Sequence, residues 1–221
     1  MVTVTGSVMD ERPGVAASGA ALVLTGVACE RGERFLFRGL DLVVPAGEIV
    51  WLRGANGQGK TTLLRTIAGL SQPAAGRIER RGGAAAWPCL YLAHANALNG
   101  DLTAVESLRF LLRLDGAATT ATSIDAALAK VGMAGRHHAP VRTLSQGQRR
   151  RVALARLAAV TGPALWLLDE PYDALDDDGV AILDAVLAEH AGRGGIVVLT
   201  SHLPLRVASP APIEVQLGAV A

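Results

Sequence analysis

An α/β fold with a mainly parallel sheet and an inserted helical subdomain is predicted by three features of the sequence. Short apolar segments, which are typical of buried strands, alternate with longer segments of helical periodicity. The stretch from about residue 95 to about 150 is almost wholly helical in character, which indicates a subdomain inserted into the core. Half of the 221 residues are hydrophobic, so the chain can bury a substantial core.

The first half of the chain is expected to supply most of the strands. Residues 1–19 contain Gly, Ser and Pro without a clear period, so we predict a flexible tail before a domain of residues 20–217. The segments predicted as strands are Leu22–Cys29, Leu40–Val44, Glu48–Arg53, Gly76–Arg80 and Cys89–Leu92. Thr61–Leu70 is predicted as a helix because it follows a glycine-rich loop and ends shortly before Pro73.

Residues that favour helix N-termini divide the second half of the chain. Thr103 with Glu106 three residues later forms a capping box, in which each side chain accepts from a backbone N–H at the start of the helix. The helices predicted from such caps are Thr103–Leu114, Ser123–Met133 and one from Ser145 to about Val160. The later elements are predicted as a strand at Ala164–Leu168, a helix at Asp177–His190 and a strand at Gly195–Thr200.

The balance of charge argues against strong electrostatic attraction to nucleic acid or to an anionic membrane. The chain carries 21 basic and 20 acidic residues, a formal net charge of +1, so we expect no nucleic-acid partner. No uncharged stretch is a credible spanning helix, so any membrane role is expected to come through a partner. Cys29 and Cys89 have no CxxC spacing, which favours two reduced thiols in the core.

A glycine-rich loop follows the strand predicted at Glu48–Arg53 and fits G-x-x-x-x-G-K-[ST] in full. The residues expected to bind the nucleotide are Gly54, Ala55, Asn56, Gly57, Gln58, Gly59, Lys60, Thr61 and Thr62. Such a loop directs backbone N–H groups at phosphate oxygens, and the following helix presents its positive N-terminus to the same anion. Lys60 is expected to reach the β- and γ-phosphates of ATP, and the Thr61 hydroxyl to ligate Mg²⁺.

Two acidic residues, Asp169 and Glu170, follow directly after the apolar strand predicted at Ala164–Leu168. Ligands of parallel sheets bind at the carboxyl ends of strands, so Asp169 and Glu170 are expected to lie beside the phosphate loop. Asp169 is expected to hold Mg²⁺ through water, and Glu170 to orient or deprotonate the attacking water. An acidic pair that merely precedes a helix is the alternative, which the phosphate loop in the same chain disfavours.

The segment Leu144–Gln148, of sequence LSQGQ, closely resembles the LSGGQ signature of ATP-binding cassette (ABC) ATPases. Asp173–Asp176 resembles the D-loop of that family, and His202, after the last predicted strand, resembles its switch histidine. Together with the phosphate loop, the motifs follow the family's order over about residues 20–205. The signature excludes a small-molecule kinase that shares only the phosphate loop.

This resemblance implies a P-loop NTPase core of the RecA type with an antiparallel β subdomain and an inserted α-helical subdomain. It also implies a head-to-tail homodimer that sandwiches ATP, and it makes Lys60, Glu170 and His202 the catalytic residues. The residues expected to contact the γ-phosphate held by the other subunit are Ser145, Gly147 and Gln148. The basic run Arg149–Arg151 is interpreted as helix packing and salt bridging rather than as a nucleic-acid contact.

The sequence departs from the family's pattern at three places. Gln146 stands where the second signature residue is usually Gly. His94 stands where the family's Q-loop glutamine should follow the strand Cys89–Leu92; we expect it to act as a hydrogen-bonding relay that does not ligate Mg²⁺ directly. The aromatic residue that stacks on adenine should fall near Arg31, with Phe35 close by, so the adenine contact is left open between them.

Details between the motifs resemble one branch of the family, the haem-exporter ATPases of cytochrome c biogenesis. The residues that carry this resemblance are Cys29-Glu30-Arg31, Glu33-Arg34, His94, Leu102–Glu106, Gly147–Leu157, Asp169–Tyr172 and Asp178-Gly179-Val180. The branch implies a CcmB-like transmembrane permease and haem-handling membrane proteins as partners. It also implies a peripheral position on the cytoplasmic face of the bacterial inner membrane. The alternative is an ABC transporter ATPase for a different cargo.

ABC ATPases that act on ribosomes or DNA are a further alternative. Ribosomal types carry two cassettes in one chain, and DNA-repair types carry long coiled-coil or zinc-binding insertions. This sequence has one cassette and neither insertion, which favours a transport ATPase.

Overall fold

The computed structural model describes residues 3–5, 19–116, 120–207 and 209–218, which form two sheets and five α-helices. The strands are β1 (Thr3–Thr5), β2 (Ala21–Arg31), β3 (Arg34–Pro45), β4 (Ile49–Arg53), β5 (Ala75–Arg81), β6 (Cys89–Leu92), β7 (Leu165–Leu168), β8 (Ile196–Thr200) and β9 (Ile213–Gln216). The helices are α1 (Lys60–Ile67), α2 (Ala104–Leu114), α3 (Ala121–Lys130), α4 (Gln146–Ala159) and α5 (Asp177–Gly192).

The larger sheet has six strands in the order β1-β9-β4-β8-β7-β6. All of its pairings are parallel except that of β1 with β9, which confirms the predicted mainly parallel sheet. Strands β7 and β8 are buried along their whole length, as expected for continuous apolar segments covered on both faces. The carboxyl ends of β4, β7 and β8 therefore meet at one edge of the sheet.

The smaller sheet is antiparallel, with the order β3-β2-β5, and agrees with the antiparallel subdomain that the family resemblance implies. Its inner face packs on α1 and on the larger sheet, where Leu22, Phe37, Leu64 and Val50 share one core cluster. This packing fixes the β2–β3 hairpin beside the start of α1, because both elements contribute to the same buried cluster.

Helices α2, α3 and α4 form a helical subdomain with a core of its own, in which Leu108, Leu128 and Val152 are fully buried. Arg156 of α4 and Asp115 at the end of α2 form a largely buried ion pair, with N–O distances of 2.7 Å and 3.0 Å. None of the described helices combines the length and the apolar character that crossing a bilayer requires.

One helix start was predicted at the wrong residue. Thr120, not Ser123, is the N-cap of α3 and accepts a hydrogen bond of 3.1 Å from the Ser123 N–H. Ser123 instead occupies the third helical position and accepts from the Thr120 N–H, which completes a capping box. The helix ends at Lys130 rather than Met133 because Gly132 takes a left-handed conformation with φ 76°.

Four further features differ from the sequence predictions. Strand β9 was not predicted, and β3 begins at Arg34 instead of Leu40. Cys29 is buried as expected, but Cys89 is exposed, so the prediction of two core thiols holds for one of them. Within the predicted tail, Thr3–Thr5 form a strand against β9, and residues 6–18 lie outside the described residues.

Candidate active site

The phosphate loop connects β4 to α1 and is folded around its own lysine. Lys60 Nζ donates to the carbonyl oxygens of Gly54 at 2.7 Å and Ala55 at 3.4 Å. The Ala55 N–H donates to Gln58 Oε1 at 2.6 Å, which closes the loop from the other side. Gly54 has φ 146°, and a Cβ there would lie 2.9 Å from the Leu217 main-chain carbonyl oxygen, so this position requires glycine.

Asp169 follows β7 and is held by hydroxyl groups from two other elements. Thr61 of α1 donates to Asp169 Oδ2 at 2.9 Å, and Thr200 at the end of β8 donates to Oδ1 at 3.0 Å. The structure thus brings together Thr61 and Asp169, the two residues predicted to bind Mg²⁺. Hydroxyl and carboxylate oxygens are the hard ligands that this ion prefers, so the donor set fits it.

Glu170 is nearly buried and its backbone is strained, with φ 48° in the left-handed region. Its N–H donates to Thr200 Oγ1 at 2.8 Å, and its Oε2 accepts from the His202 N–H at 3.1 Å. Oε1 lies 3.4 Å from His202 Nε2 but accepts no hydrogen bond from any described residue. A carboxylate oxygen without a hydrogen-bond donor can accept a hydrogen bond from a water molecule and then take up its proton.

An open cleft of about 310 Å³ is lined by most of the loop residues predicted to bind the nucleotide, but not by Gly54, Ala55 or Gln58. Its lining from the phosphate loop and α1 is Asn56, Gly57, Gly59, Lys60, Thr61 and Thr62. Its lining from elsewhere is Arg31, Leu36, His94, Asp169, Glu170, Asp173 and His202. The structure therefore brings Lys60, Glu170 and His202, which are far apart in sequence, to one concave surface.

The β2–β3 hairpin supplies the other end of the cleft. Arg31 lines the cleft, as the sequence comparison with the family suggested, and Leu36 lines it as well. Phe35 is not among the lining residues, and the Arg38 guanidinium lies 3.5 Å from the centre of its ring. Arg31 and Leu36, and not Phe35, thus line this end of the cleft, and Leu36 was missed because it has no distinctive chemistry.

His94 also lines the cleft, and its Nδ1 lies 3.3 Å from Asp173 Oδ2. Both side chains are substantially exposed. His94 therefore faces the segment that resembles the D-loop, and an acidic partner for it was not predicted.

The signature residues lie apart from this cleft, since Ser145, Gly147 and Gln148 are not among its lining residues. Ser145 is the N-cap of α4, as predicted, and it exchanges hydrogen bonds of 3.2 Å and 3.1 Å with Gln148 in a capping box. A Cβ on Gly147 would lie 2.7 Å from the Ala174 carbonyl oxygen, so the start of α4 is closely packed on the adjacent loop.

Sequence reasoning missed the special place of Arg150 in the basic run Arg149–Arg151. Arg150 is buried and donates to the carbonyl of Ala93, just after β6, and to the carbonyl of Glu170, just after β7. Its spacing could have shown this, because Arg150, Leu154 and Leu157 share one buried helix face at i, i+4 and i+7. Thr200 was also missed; it is the last residue of a buried strand that was predicted correctly.

Comparison with known proteins agrees with this geometry. The family model of ABC transporters matches residues 37–173. The chain is 48% identical over 187 residues to the cytochrome c biogenesis ATP-binding export protein CcmA of Pseudomonas syringae pv. tomato, covering 82% of this chain and 87% of that protein. It is 46% identical over 193 residues to the protein of the same name from Cupriavidus pinatubonensis, covering 84% and 85%.

Among solved structures, an ABC transporter ATP-binding protein from Pyrococcus furiosus superposes with a TM-score of 0.76 at 25% identity, covering 89% of this chain and 97% of that one. An ATP-binding subunit of an ABC transporter gives a TM-score of 0.70 at 23% identity, covering 83% and 80%. The matched family model, the relatives and the shared fold together show that this chain belongs to the ATP-hydrolysing subunits of the ABC transporter family.

Proposed function

We propose that this chain energises a transporter of c-type cytochrome biogenesis, in which ATP hydrolysis drives haem export or haem delivery. The curated relatives carry the names cytochrome c biogenesis and export, at 46% to 48% identity over most of the chain. The proposed ATP hydrolysis is supported mainly by one observation: a single cleft is lined by Lys60, Asp169, Glu170 and His202.

The phosphates of ATP are expected to bind at the start of α1. Lys60 would exchange its contacts with the Gly54 and Ala55 carbonyls for the β- and γ-phosphate oxygens. Thr61 and Asp169 would hold Mg²⁺, Asp169 through water, since their oxygens already lie 2.9 Å apart. The ion, when bound, neutralises charge on the phosphate oxygens.

Glu170 is proposed as the group that orients and deprotonates the attacking water. Its buried Oε1 accepts no hydrogen bond from any described residue, whereas its Oε2 accepts from the His202 N–H, so Oε1 is the oxygen left to accept from a water molecule. The His202 imidazole, beside Oε1, is proposed to approach the γ-phosphate and to stabilise charge there as hydrolysis proceeds.

A head-to-tail homodimer is proposed because the signature residues lie apart from the cleft of their own chain. The Ser145 hydroxyl can still donate, and the first turn of α4 has backbone N–H groups without an intrahelical acceptor, which suit an anion supplied from outside the chain. Ser145, Gly147 and Gln148 would then cover the γ-phosphate bound to the other subunit.

The proposed partners are a CcmB-like membrane permease and haem-handling membrane proteins, with the chain on the cytoplasmic face of the bacterial inner membrane. His94 is proposed as the relay towards the permease, because its side chain lines the cleft and faces Asp173. This contact supports a relay and leaves Thr61 and Asp169 as the proposed Mg²⁺ ligands.

Gene deletion in the native host tests the branch. Loss of the gene should abolish covalent haem attachment to c-type cytochromes, measured by haem staining of membrane proteins. The wild-type gene should restore staining, whereas the Lys60→Ala variant at equal expression should not. Normal haem staining in the deletion strain would instead favour a transporter for a different cargo.

A further inference from the structure

Arg150 is a buried cation in the middle of the basic run at the start of α4. Its relative exposure is 2%, although burying a guanidinium is costly unless all its donors find acceptors. Here the cost is offset by hydrogen bonds from Nε, Nη1 and Nη2. The acceptors are the carbonyl oxygens of Ala93, His94, Asp169, Glu170 and Pro171 and the Oδ1 atom of Asn96.

These acceptors lie on two segments that are far apart in sequence. Nη1 donates to Asn96 Oδ1 at 2.9 Å, in the loop that follows β6 and carries His94. Nη2 donates to the Glu170 carbonyl at 2.6 Å, and Nε to the Pro171 carbonyl at 3.2 Å. One planar guanidinium on the signature helix thus joins the loop of His94 to the loop of Glu170.

The bond to Glu170 falls on a strained residue. A left-handed φ in a non-glycine residue persists only where the surroundings hold it from several sides. The N–H of Glu170 is fixed by Thr200 Oγ1, and its carbonyl is fixed by Arg150 Nη2. Arg150 therefore holds one of the two peptide groups that set the direction of the Glu170 side chain.

The neighbouring arginines make different contacts. Arg149 donates to the carbonyls of Val141 and Arg142, inside the helical subdomain. Arg151 donates to the Val131 carbonyl and pairs with Asp176. Arg150 is the member of the run whose described hydrogen bonds reach the strand end that carries Asp169 and Glu170.

We propose that Arg150 is a positioning residue for hydrolysis, which keeps Glu170 in its strained conformation and links its position to the His94 loop. This rests on the proposed role of Glu170. Lysine cannot replace it, because an ammonium group offers its donors from one point and cannot span both loops as the guanidinium fork does.

The test compares Arg150→Lys with the matched control Arg149→Lys in the complete transporter. Arg150→Lys should lower kcat for ATP at least about tenfold while KM changes less than about threefold, because the nucleotide-binding residues are untouched. Arg149→Lys should keep kcat within about twofold. Amide hydrogen exchange of the full chain should become faster at residues 93–98 and 169–174 in Arg150→Lys alone.

Asn96→Ala provides a milder variant if Arg150→Lys folds poorly. It removes one acceptor on the His94 side and leaves the Glu170 carbonyl bond in place. Exchange should then become faster at residues 93–98, and kcat should fall by about two- to fivefold. Unchanged exchange in both loops of Asn96→Ala would overturn the link between them.

Wild-type kcat in Arg150→Lys would overturn the proposal, as would an equal fall of kcat and thermal midpoint in the Arg150 and Arg149 variants. Glu170→Gln measured in parallel separates the two ideas. If that variant kept its turnover, the role of Glu170 would be wrong, while faster exchange of both loops in Arg150→Lys would still support positioning.

Discussion

The main-chain N–H of His202 donates a hydrogen bond of 3.1 Å to Glu170 Oε2, while the ring nitrogen Nε2 of the same residue lies 3.4 Å from Oε1. The first contact survives any substitution at position 202 that keeps the backbone, whereas the second depends on the imidazole. Mutation can therefore separate how the carboxylate is oriented from what the histidine ring adds.

His202→Ala should slow ATP hydrolysis by about 10- to 100-fold with little loss of nucleotide affinity, because the backbone contact still orients Glu170. Turnover and nucleotide binding are measured with the membrane subunit present. The exposed His138 offers the control His138→Ala, which should behave as wild type. Wild-type turnover in His202→Ala would contradict the proposed switch role.

Glu170→Gln should bind ATP normally and lose nearly all turnover, by about 100-fold or more, because an amide can bind water but cannot take its proton. Trapped ATP should then hold two subunits together, which size-exclusion chromatography with Mg·ATP detects. Glu189→Gln makes the same chemical change on the surface of α5 and should leave turnover unchanged. A monomeric Glu170→Gln protein with wild-type turnover would refute both the base and the dimer.

Lys60→Ala should weaken ATP binding by about 1.5–3 kcal/mol, roughly 10- to 100-fold, because it removes the cation nearest to the expected phosphate position. Isothermal titration calorimetry measures the loss. The chain has only one other lysine, Lys130, whose pairing with Glu189 lies on the surface, so Lys130→Ala is a matched control. Equal affinities in the two variants would rule out the proposed phosphate contact.

His94→Gln and His94→Ala test the relay, assayed with and without the membrane subunit. Gln should retain coupled ATPase better than Ala, because an amide can still hydrogen-bond Asp173, now 3.3 Å from the His94 ring. Basal nucleotide affinity should change little, because His94 is not among the residues expected to hold the phosphates or Mg²⁺ and its side chain is substantially exposed. Equal, wild-type-like coupling in both variants would indicate a histidine of no consequence, and loss of Mg²⁺ affinity in Ala would indicate a metal ligand.

His190 should make the fold sensitive to acid. It is fully buried, stacks on Trp166 with 3.5 Å between ring centres, and lies 2.9 Å from the Ala164 carbonyl through Nε2. Nδ1 has no hydrogen-bond partner within the described part of the chain. Burial is the main reason that the pKa of His190 falls from 6.5 to about 4.

The unfolded chain therefore takes up this proton at a higher pH than the folded one. Between pH 6.5 and about 4 the free energy of unfolding should fall by about 1.4 kcal/mol per pH unit from this group, and above pH 6.5 the group contributes no slope. Urea unfolding at pH 7, 6 and 5 gives the free energy of unfolding at each pH. Its decrease per pH unit below pH 6.5 should be smaller in His190→Gln than in the wild type by about 1.4 kcal/mol, the contribution of one proton. The control His138→Gln should keep the wild-type slope, and identical slopes in all three proteins would contradict the assignment.

The positions of the site residues could be predicted because their chemistry depends on local spacing. The phosphate loop needs glycines and Lys60 at fixed offsets, and Glu170 must end a buried strand beside it. These constraints are visible in a single sequence. The residues that support them were harder to find, because Thr200 and Leu36 belong to types found in any strand. Only the folded chain brings Leu36 to the cleft and Thr200 to Asp169 and Glu170.

The predicted start of α3 was wrong because two nearby residues could each act as the helix N-cap. Thr120 and Ser123 both carry hydroxyl groups and stand three residues apart, so either could have capped α3 until the chain folded. Strand β9 is only four residues long and follows a segment rich in proline; its pairing with β4 and β1 is a tertiary contact without a local signal.

The hydrogen bonds from Lys60 to the carbonyls of Gly54 and Ala55 have a thermodynamic consequence. A loop that internally satisfies its lysine and closes on Gln58 is held in one shape by its own hydrogen bonds. Nucleotide association then needs little ordering of the chain, so the loss of conformational entropy that opposes many loop-mediated complexes should be small here. The phosphate oxygens of ATP would replace the Gly54 and Ala55 carbonyls as hydrogen-bond acceptors of Lys60. Recognition would then exchange one set of acceptors for another without refolding the loop.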